Sequence, residues 1–119
     1  MTRWQSTTPT ESGFRKAVIE LAEAHDWYVV SMPDGEHMRR IPKSMVGWPD
    51  LYMVRFIAEP DSNGDYVLRM TELYRELKVG RNTLSIEQES WGRRLILADK
   101  DYAVWRDTTP WSQIEEDLR

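Results

Sequence analysis

The chain predicts an α/β fold of order αβββαβα, and three observations carry that expectation. Segments with apolar residues at helical spacing, each opened by a proline or a capping box, alternate with short apolar runs of strand length. A dense turn cluster, Asp61-Ser62-Asn63-Gly64-Asp65, separates two of those runs. Finally, 119 residues with 40% hydrophobic and 30% charged content and a mean hydropathy of -0.65 suit one compact domain around one core.

Each element has its own signal. Thr8-Pro9-Thr10-Glu11 reads as a helix start, with Thr8 as N-cap, Pro9 first in the helix and Glu11 closing a capping box. Phe14, Val18 and Leu21 then recur on one face of a helix to about Ala24. Trp27-Tyr28-Val29-Val30 is a short strand, and Met32 to Val46 is a loop rich in Pro, Gly and basic residues. Leu51 to Ile57 is a nearly unbroken apolar strand that pairs, across the 61–65 turn, with a strand from Tyr66 to Val79 in an antiparallel hairpin. Ser85-Ile86-Glu87-Gln88 is a capping box heading a helix whose Gln88, Trp91, Leu95 and Ala98 share a face. Tyr102 to Arg106 is a strand, and Thr109-Pro110 caps a last helix carrying Trp111, Ile114 and Leu118.

Composition removes several classes of function. The absence of cysteine excludes disulfides and thiolate metal sites, and His25 and His37 stand too far apart to build a zinc cluster, so any metal is held by oxygen. No apolar run approaches membrane-spanning length, and Met1-Thr2-Arg3-Trp4-Gln5 lacks the apolar stretch of a signal peptide. No membrane partner is expected, and the chain should be cytoplasmic and not secreted. The net charge of -4 argues against nucleic acid, but its distribution argues for it. Residues 38–58 and 75–94 hold nine of the sixteen Lys and Arg and only four of the twenty acids. A phosphate-binding face needs such clustering, and a solvated charged surface would also give it.

Two of those four acids carry the chemistry. Asp50, in Gly47-Trp48-Pro49-Asp50-Leu51, starts one strand, and 26 residues later Glu76-Leu77-Lys78 closes the next, so antiparallel pairing brings both acids to one end of the hairpin. Side chains two apart on a strand share a face, which places Glu76 beside Lys78 and turns Leu77 inward. Two carboxylates suffice for Mg²⁺ or Mn²⁺ at a phosphate site, and an adjacent lysine can orient a water and offset developing charge. The same triplet also describes an ordinary exposed ion pair, and Asp50 after a proline can be a turn residue. Glu11 and Gln88 each fall at the third position of a capping box, where a purely structural role is equally served. Trp48 can pack or stack on a base, while Trp91 and Trp105 are expected in the core.

Taken in order, Glu11, Gly47-Trp48-Pro49-Asp50-Leu51, Arg75-Glu76-Leu77-Lys78, Leu84-Ser85-Ile86-Glu87-Gln88 and Val104-Trp105-Arg106 resemble the PD-(D/E)xK nuclease superfamily. Within it they are similar to the small stand-alone VRR-NUC nucleases of bacteria and bacterial viruses, over roughly residues 8–118. The resemblance implies a restriction-endonuclease-like core, a mixed sheet flanked by helices, and metal-dependent hydrolysis of DNA, often branched or flapped. It implies Asp50 and Glu76 as metal ligands, with the Leu77 backbone carbonyl and Glu11 as further ligands. It makes Lys78 the catalytic lysine and Gln88 an orienting glutamine. Arg39, Arg40, Lys43 and Arg81 would contact phosphates. The acidic 59–65 stretch is longer than in compact members and is expected to point away from DNA. Symmetric cutting of a four-way junction would require a twofold homodimer. Two other classes fit the same chain: a non-catalytic nucleic-acid-binding module with the nuclease fold, and an interaction protein anchored by Trp4, Trp48 and Trp111.

Overall fold

The computed structural model describes residues 10–33 and 42–119. Helix α1 (Glu11–Ala24) leads into β1 (Tyr28–Ser31), β2 (Leu51–Pro60) and β3 (Tyr66–Lys78), followed by α2 (Ile86–Leu97), β4 (Tyr102–Arg106) and α3 (Trp111–Asp117). This is the expected αβββαβα order, with a 3-10 turn at Lys43–Met45 added where a loop was expected. The four strands form one mixed sheet in the order β1-β2-β3-β4. β1, β2 and β3 run antiparallel, whereas β4 lies parallel to β3. A parallel neighbour cannot be reached by a tight turn, and α2 is the crossover that makes it reachable.

Alternation along the strands divides the sheet into two faces. Leu51, Met53, Leu73, Leu77 and Trp105 point to one face and join Phe14, Val18 and Ala22 of α1 with Ile114 of α3 and Leu118 in the buried core. Tyr52, Tyr74, Glu76 and Tyr102 point to the other face, where α2 lies: the missing side chain of Gly92 leaves room for the Tyr102 ring. Burying each large core side chain contributes about 1.5–3 kcal/mol, so the α1/α3 face carries most of the hydrophobic stabilisation.

Several boundaries differ from the sequence reading for physical reasons. Thr10, not Thr8, is the N-cap of α1: its backbone is extended and its Oγ1 accepts the Gly13 amide at 3.0 Å. Glu11 is therefore the first helical residue, not the closing member of a capping box, and Thr8 and Pro9 lie outside the described residues. β1 starts one residue late because Trp27 is a core residue whose Nε1 donates to the Leu118 carbonyl. The Ser85/Gln88 capping box is present as expected. On α2 the buried residues are Gly92 and Leu95, while Trp91 is half-buried and Ala98 is exposed. Thr109 does not cap α3 with its side chain, because its Oγ1 accepts the Arg106 amide instead.

The 42–49 segment is pressed against the start of α2. Gly47 has φ 87, and a Cβ there would fall 2.4 Å from the Glu87 carbonyl carbon and 2.8 Å from the Gln88 nitrogen, both backbone atoms. Trp48 then sits edge-on to Trp91 at 4.9 Å and to Tyr74 at 5.9 Å, so it packs between α2 and the sheet. Gly47→Ala should destabilise the protein by more than about 1 kcal/mol, since it adds both a left-handed backbone penalty and a backbone clash. Urea unfolding measures this, and an unchanged midpoint would show that the contact is not needed.

Candidate metal and catalytic site

The register of the hairpin places the two acids together. Leu51 pairs with Arg75, so Asp50 and Glu76 occupy the next position, at the end of the ladder far from the 61–65 turn. The acidic 61–65 turn lies at the opposite end of the ladder.

Each acid is held by named contacts. Asp50 Oδ2 accepts the Leu77 amide at 2.8 Å, and Asp50 Oδ1 accepts Arg15 Nη2 at 2.7 Å. The Arg15 guanidinium is itself fixed, with Nη1 donating to Ser31 Oγ and to the Met32 carbonyl, both at 2.9 Å. Glu76 is 2% exposed and accepts Gln88 Nε2 at 3.1 Å. Gln88 thus serves both roles considered for it: its Oε1 accepts the Ser85 amide at 2.8 Å to close the capping box, while its Nε2 holds Glu76. Lys78 shares the face of Glu76, and its charge acts on that carboxyl, as does that of Arg15.

Burial pushes the Glu76 carboxyl up to about 9, with a hydrogen bond to Asp50 and the repulsion of its charge adding to the effect. Lys78 and Arg15 pull the other way without cancelling it. Glu76 therefore keeps its proton near neutral pH. Tyr102 Oη is buried without a hydrogen-bond partner, and both acids raise its hydroxyl further after burial has done so. An adjacent carboxylate pair with an unspent hydroxyl beside it is a donor set suited to a hard divalent cation and its waters. Asp50 and Glu76 supply two carboxylates of that kind, both oxygens of Asp50 also accepting hydrogen bonds.

Other nominated residues are placed differently. Glu11 is more than half exposed and reaches Arg15 at 3.5 Å, so the guanidinium stands between it and Asp50. Among the described residues no three His, Asp or Glu side chains group closely enough to hold a metal, which leaves a pair and not a triad. Leu77 touches the site through its amide, while its side chain is in the core. Glu72, on the same face, is taken up by Tyr52 Oη at 2.5 Å and Lys100 Nζ at 3.5 Å. That bond to Glu72 pushes the Tyr52 hydroxyl up to about 12.

Two of the nine clustered cations are structural. Arg75 is 3% exposed, bonds the Asp101 carbonyl and carboxylate, and lies over the Trp105 ring at 4.9 Å. Arg55 donates to the His25 and Leu118 carbonyls and lies over Trp27 at 4.4 Å. Lys43 and Arg81 are exposed, and Lys43 lines a cleft of about 350 Å³ with Ser44, Ser90, Trp91 and Arg94. Arg39 and Arg40 lie outside the described residues. A larger cleft of about 800 Å³ adjoins Arg15, and among the described residues of its wall Glu11, Glu20 and Glu23 outnumber Arg15 and Lys16.

Sequence reasoning missed Arg15 and Tyr102. Arg15 follows Glu11 at i+4 on the same helix face, a legible pairing, but its reach to Asp50 is tertiary. Among the described residues no helix is long and apolar enough to cross a membrane. Compared with known proteins, the chain matches no family model, no curated protein and no solved structure. The fold and site define an α/β protein with a four-stranded mixed sheet flanked by helices and a pair of adjacent acids at one end of it, Glu76 buried and Asp50 partly so.

The pair makes stability depend on pH in a definite direction. With its carboxyl raised from 4.5 to about 9, folded Glu76 keeps a proton that the unfolded chain has lost, so metal-free protein should lose stability as pH rises through that window. Thermal melts in chelator across the window measure the slope. Glu76→Gln should flatten it, and Arg15→Gln, which removes a cation opposing the shift, should extend it to higher pH. A flat wild-type profile would remove the buried acid pair.

Proposed function

We propose that this protein is a Mg²⁺- or Mn²⁺-dependent nuclease that hydrolyses DNA phosphodiester bonds, with a restriction-endonuclease-like core of the VRR-NUC type. The single observation that carries the reading is the Asp50–Glu76 pair brought together at one end of the hairpin, with Glu76 buried and Lys78 on its face. Arg15 is ion-paired with Asp50, whereas the buried Glu76 carboxyl bonds the neutral Gln88 amide beside a second acid, an arrangement that costs stability unless a cation is to be held there.

When bound, the ion supplies Lewis-acid charge and lowers the pKa of water at the site. The chain's own residues then have separate tasks. Asp50 and Glu76 hold the ion. Arg15 and the Leu77 amide fix both oxygens of Asp50, and Gln88 fixes one oxygen of Glu76. Lys78 orients the attacking water and offsets charge developing on the phosphate. Lys43 and Arg94, which line the cleft beside the start of α2, and the exposed Arg81 attract the backbone. Branched DNA is the substrate class that the resemblance favours, and paired cutting of a junction would use a homodimer.

Asp50→Ala and Glu76→Ala should each abolish metal-dependent cleavage of labelled junction, flap, single-stranded and duplex DNA while DNA binding persists. Lys78→Ala should slow cleavage with metal affinity retained. Cleavage unchanged in either acid variant would sink the assignment, and wild-type binding without cleavage under Mg²⁺ and Mn²⁺ would favour the non-catalytic module.

Gln88 and Glu11 should separate in the same assay. Gln88→Ala should cost about 0.5–2 kcal/mol as a lost cap and also lower the rate per folded molecule, because Glu76 loses its orienting donor. Glu11→Ala should change the rate far less, since Glu11 reaches the pair only through Arg15. Melts and single-turnover rates on the same samples decide it, and equal rate losses would return Glu11 to the ligand set.

A further inference from the structure

Neither carboxylate oxygen of Asp50 is free. Oδ2 accepts the Leu77 amide at 2.8 Å, and Oδ1 accepts Arg15 Nη2 at 2.7 Å. The two donors differ in their freedom to leave. Leu77 lies within β3 and is paired with Trp105 of β4, so the sheet fixes its amide. Arg15 reaches Asp50 from α1 through a long side chain, and the nitrogen that bonds Asp50 also stands 3.5 Å from Glu11 Oε1. The other terminal nitrogen, Nη1, is tied to Ser31 Oγ and the Met32 carbonyl, both at 2.9 Å. The guanidinium is thus anchored at one corner and shared between two acids at the other. Glu11 opens α1 and Arg15 follows four residues on, a spacing that stacks the two side chains on one helix face. The Asp50 side chain is 16% exposed and that of Glu11 54%, so Asp50, less screened by water, holds the guanidinium more closely.

We propose that Glu11 is a positioning residue for the metal site and not a ligand: when a divalent ion binds at Asp50 and Glu76, the Arg15 guanidinium pivots on its Ser31 and Met32 contacts and passes from Asp50 to Glu11. An ion on Asp50 sets two cations against one partly buried carboxylate, where water screens their repulsion poorly. Glu11 is the second acid within reach of the same nitrogen, and closing that gap to hydrogen-bonding distance takes a shift of less than about 1 Å. Arg15 therefore steadies Asp50 in the metal-free protein and gives it up with its own charge matched elsewhere. Competition between the guanidinium and the ion makes Arg15 a brake on metal binding, and Glu11 the group that releases it. The inference rests on the reading of Asp50 and Glu76 as ion ligands, but on no cleavage step.

Mn²⁺ binding to the full chain, read from the paramagnetic resonance of the free ion, tests it in the wild type, Glu11→Gln, Arg15→Gln and the double variant. Melts in chelator establish that each folds, and Arg15→Met, which keeps the apolar stem, replaces Arg15→Gln if that variant does not. Arg15→Gln should bind Mn²⁺ about tenfold more tightly, because the competing cation is gone. Glu11→Gln should bind it about two- to fivefold more weakly, the worth of a half-exposed ion pair. That loss should vanish in the double variant, where no guanidinium is left to receive. Removing a true ligand would instead cost more than about tenfold, with or without Arg15. Mn²⁺ bound by Arg15→Gln but not by the wild type would support the proposal in its strongest form. A ligand-sized loss in Glu11→Gln, a loss that persists in the double variant, or an Arg15→Gln chain that binds no more tightly overturns it and leaves the acid pair as the ion's site. Absence of Mn²⁺ binding in all four chains overturns the site as well.

Discussion

A buried carboxyl within hydrogen-bonding reach of a second, partly exposed one is costly unless a proton or a cation intervenes, and much of the structure is arranged around that constraint. The hairpin register forces the contact. α1 sends Arg15 across to one oxygen of Asp50, β3 offers the Leu77 amide to the other, and α2 sends Gln88 to Glu76. Three elements thus converge on a single rung of the ladder, and the two side chains among them are themselves held. Gln88 is held by its capping box, and Arg15 by Ser31 and the Met32 carbonyl.

The sheet keeps this electrostatic work apart from its hydrophobic work. One face is filled by α1 and α3 and carries the apolar core; the other carries the tyrosines, Glu72, Glu76 and the start of α2. Asp50, at the mouth of β2, stands where the two layers meet, which is why Arg15 from the core-side helix and Gln88 from the opposite helix can serve the same pair. Arg55 and Arg75 belong to the core face, where aromatic rings and carbonyls satisfy them.

Much of this was legible in the chain. Element order, the hairpin and the second capping box follow from local spacing and turn chemistry, and the meeting of Asp50 with Glu76 follows from antiparallel pairing alone. The start of α1 was not resolved, because Thr8 and Thr10 are equally good caps by sequence and only the Gly13 amide distinguishes them. Counting charges along the chain treated Arg55 and Arg75 as surface cations, although period-two alternation already places Arg75 on the face of Leu73 and Leu77. The roles of Arg15, Tyr102 and Gly47 depend on contacts between distant segments, on which local pattern is silent.

The hairpin also has a bearing on the order in which the molecule assembles. Closing the 61–65 turn costs least, since Asp61 Oδ1 accepts the Asn63 and Asp65 amides and Gly64 takes φ 83 within the turn itself. Pairing that starts there proceeds rung by rung away from the turn and reaches the acids last. That final rung closes against its own repulsion until α1 docks with Arg15, while the parallel pairing of β4, which waits on α2, is the longest excursion in the sheet. The acid-bearing end of the ladder is therefore also its kinetic bottleneck, so neutralising one acid should speed folding.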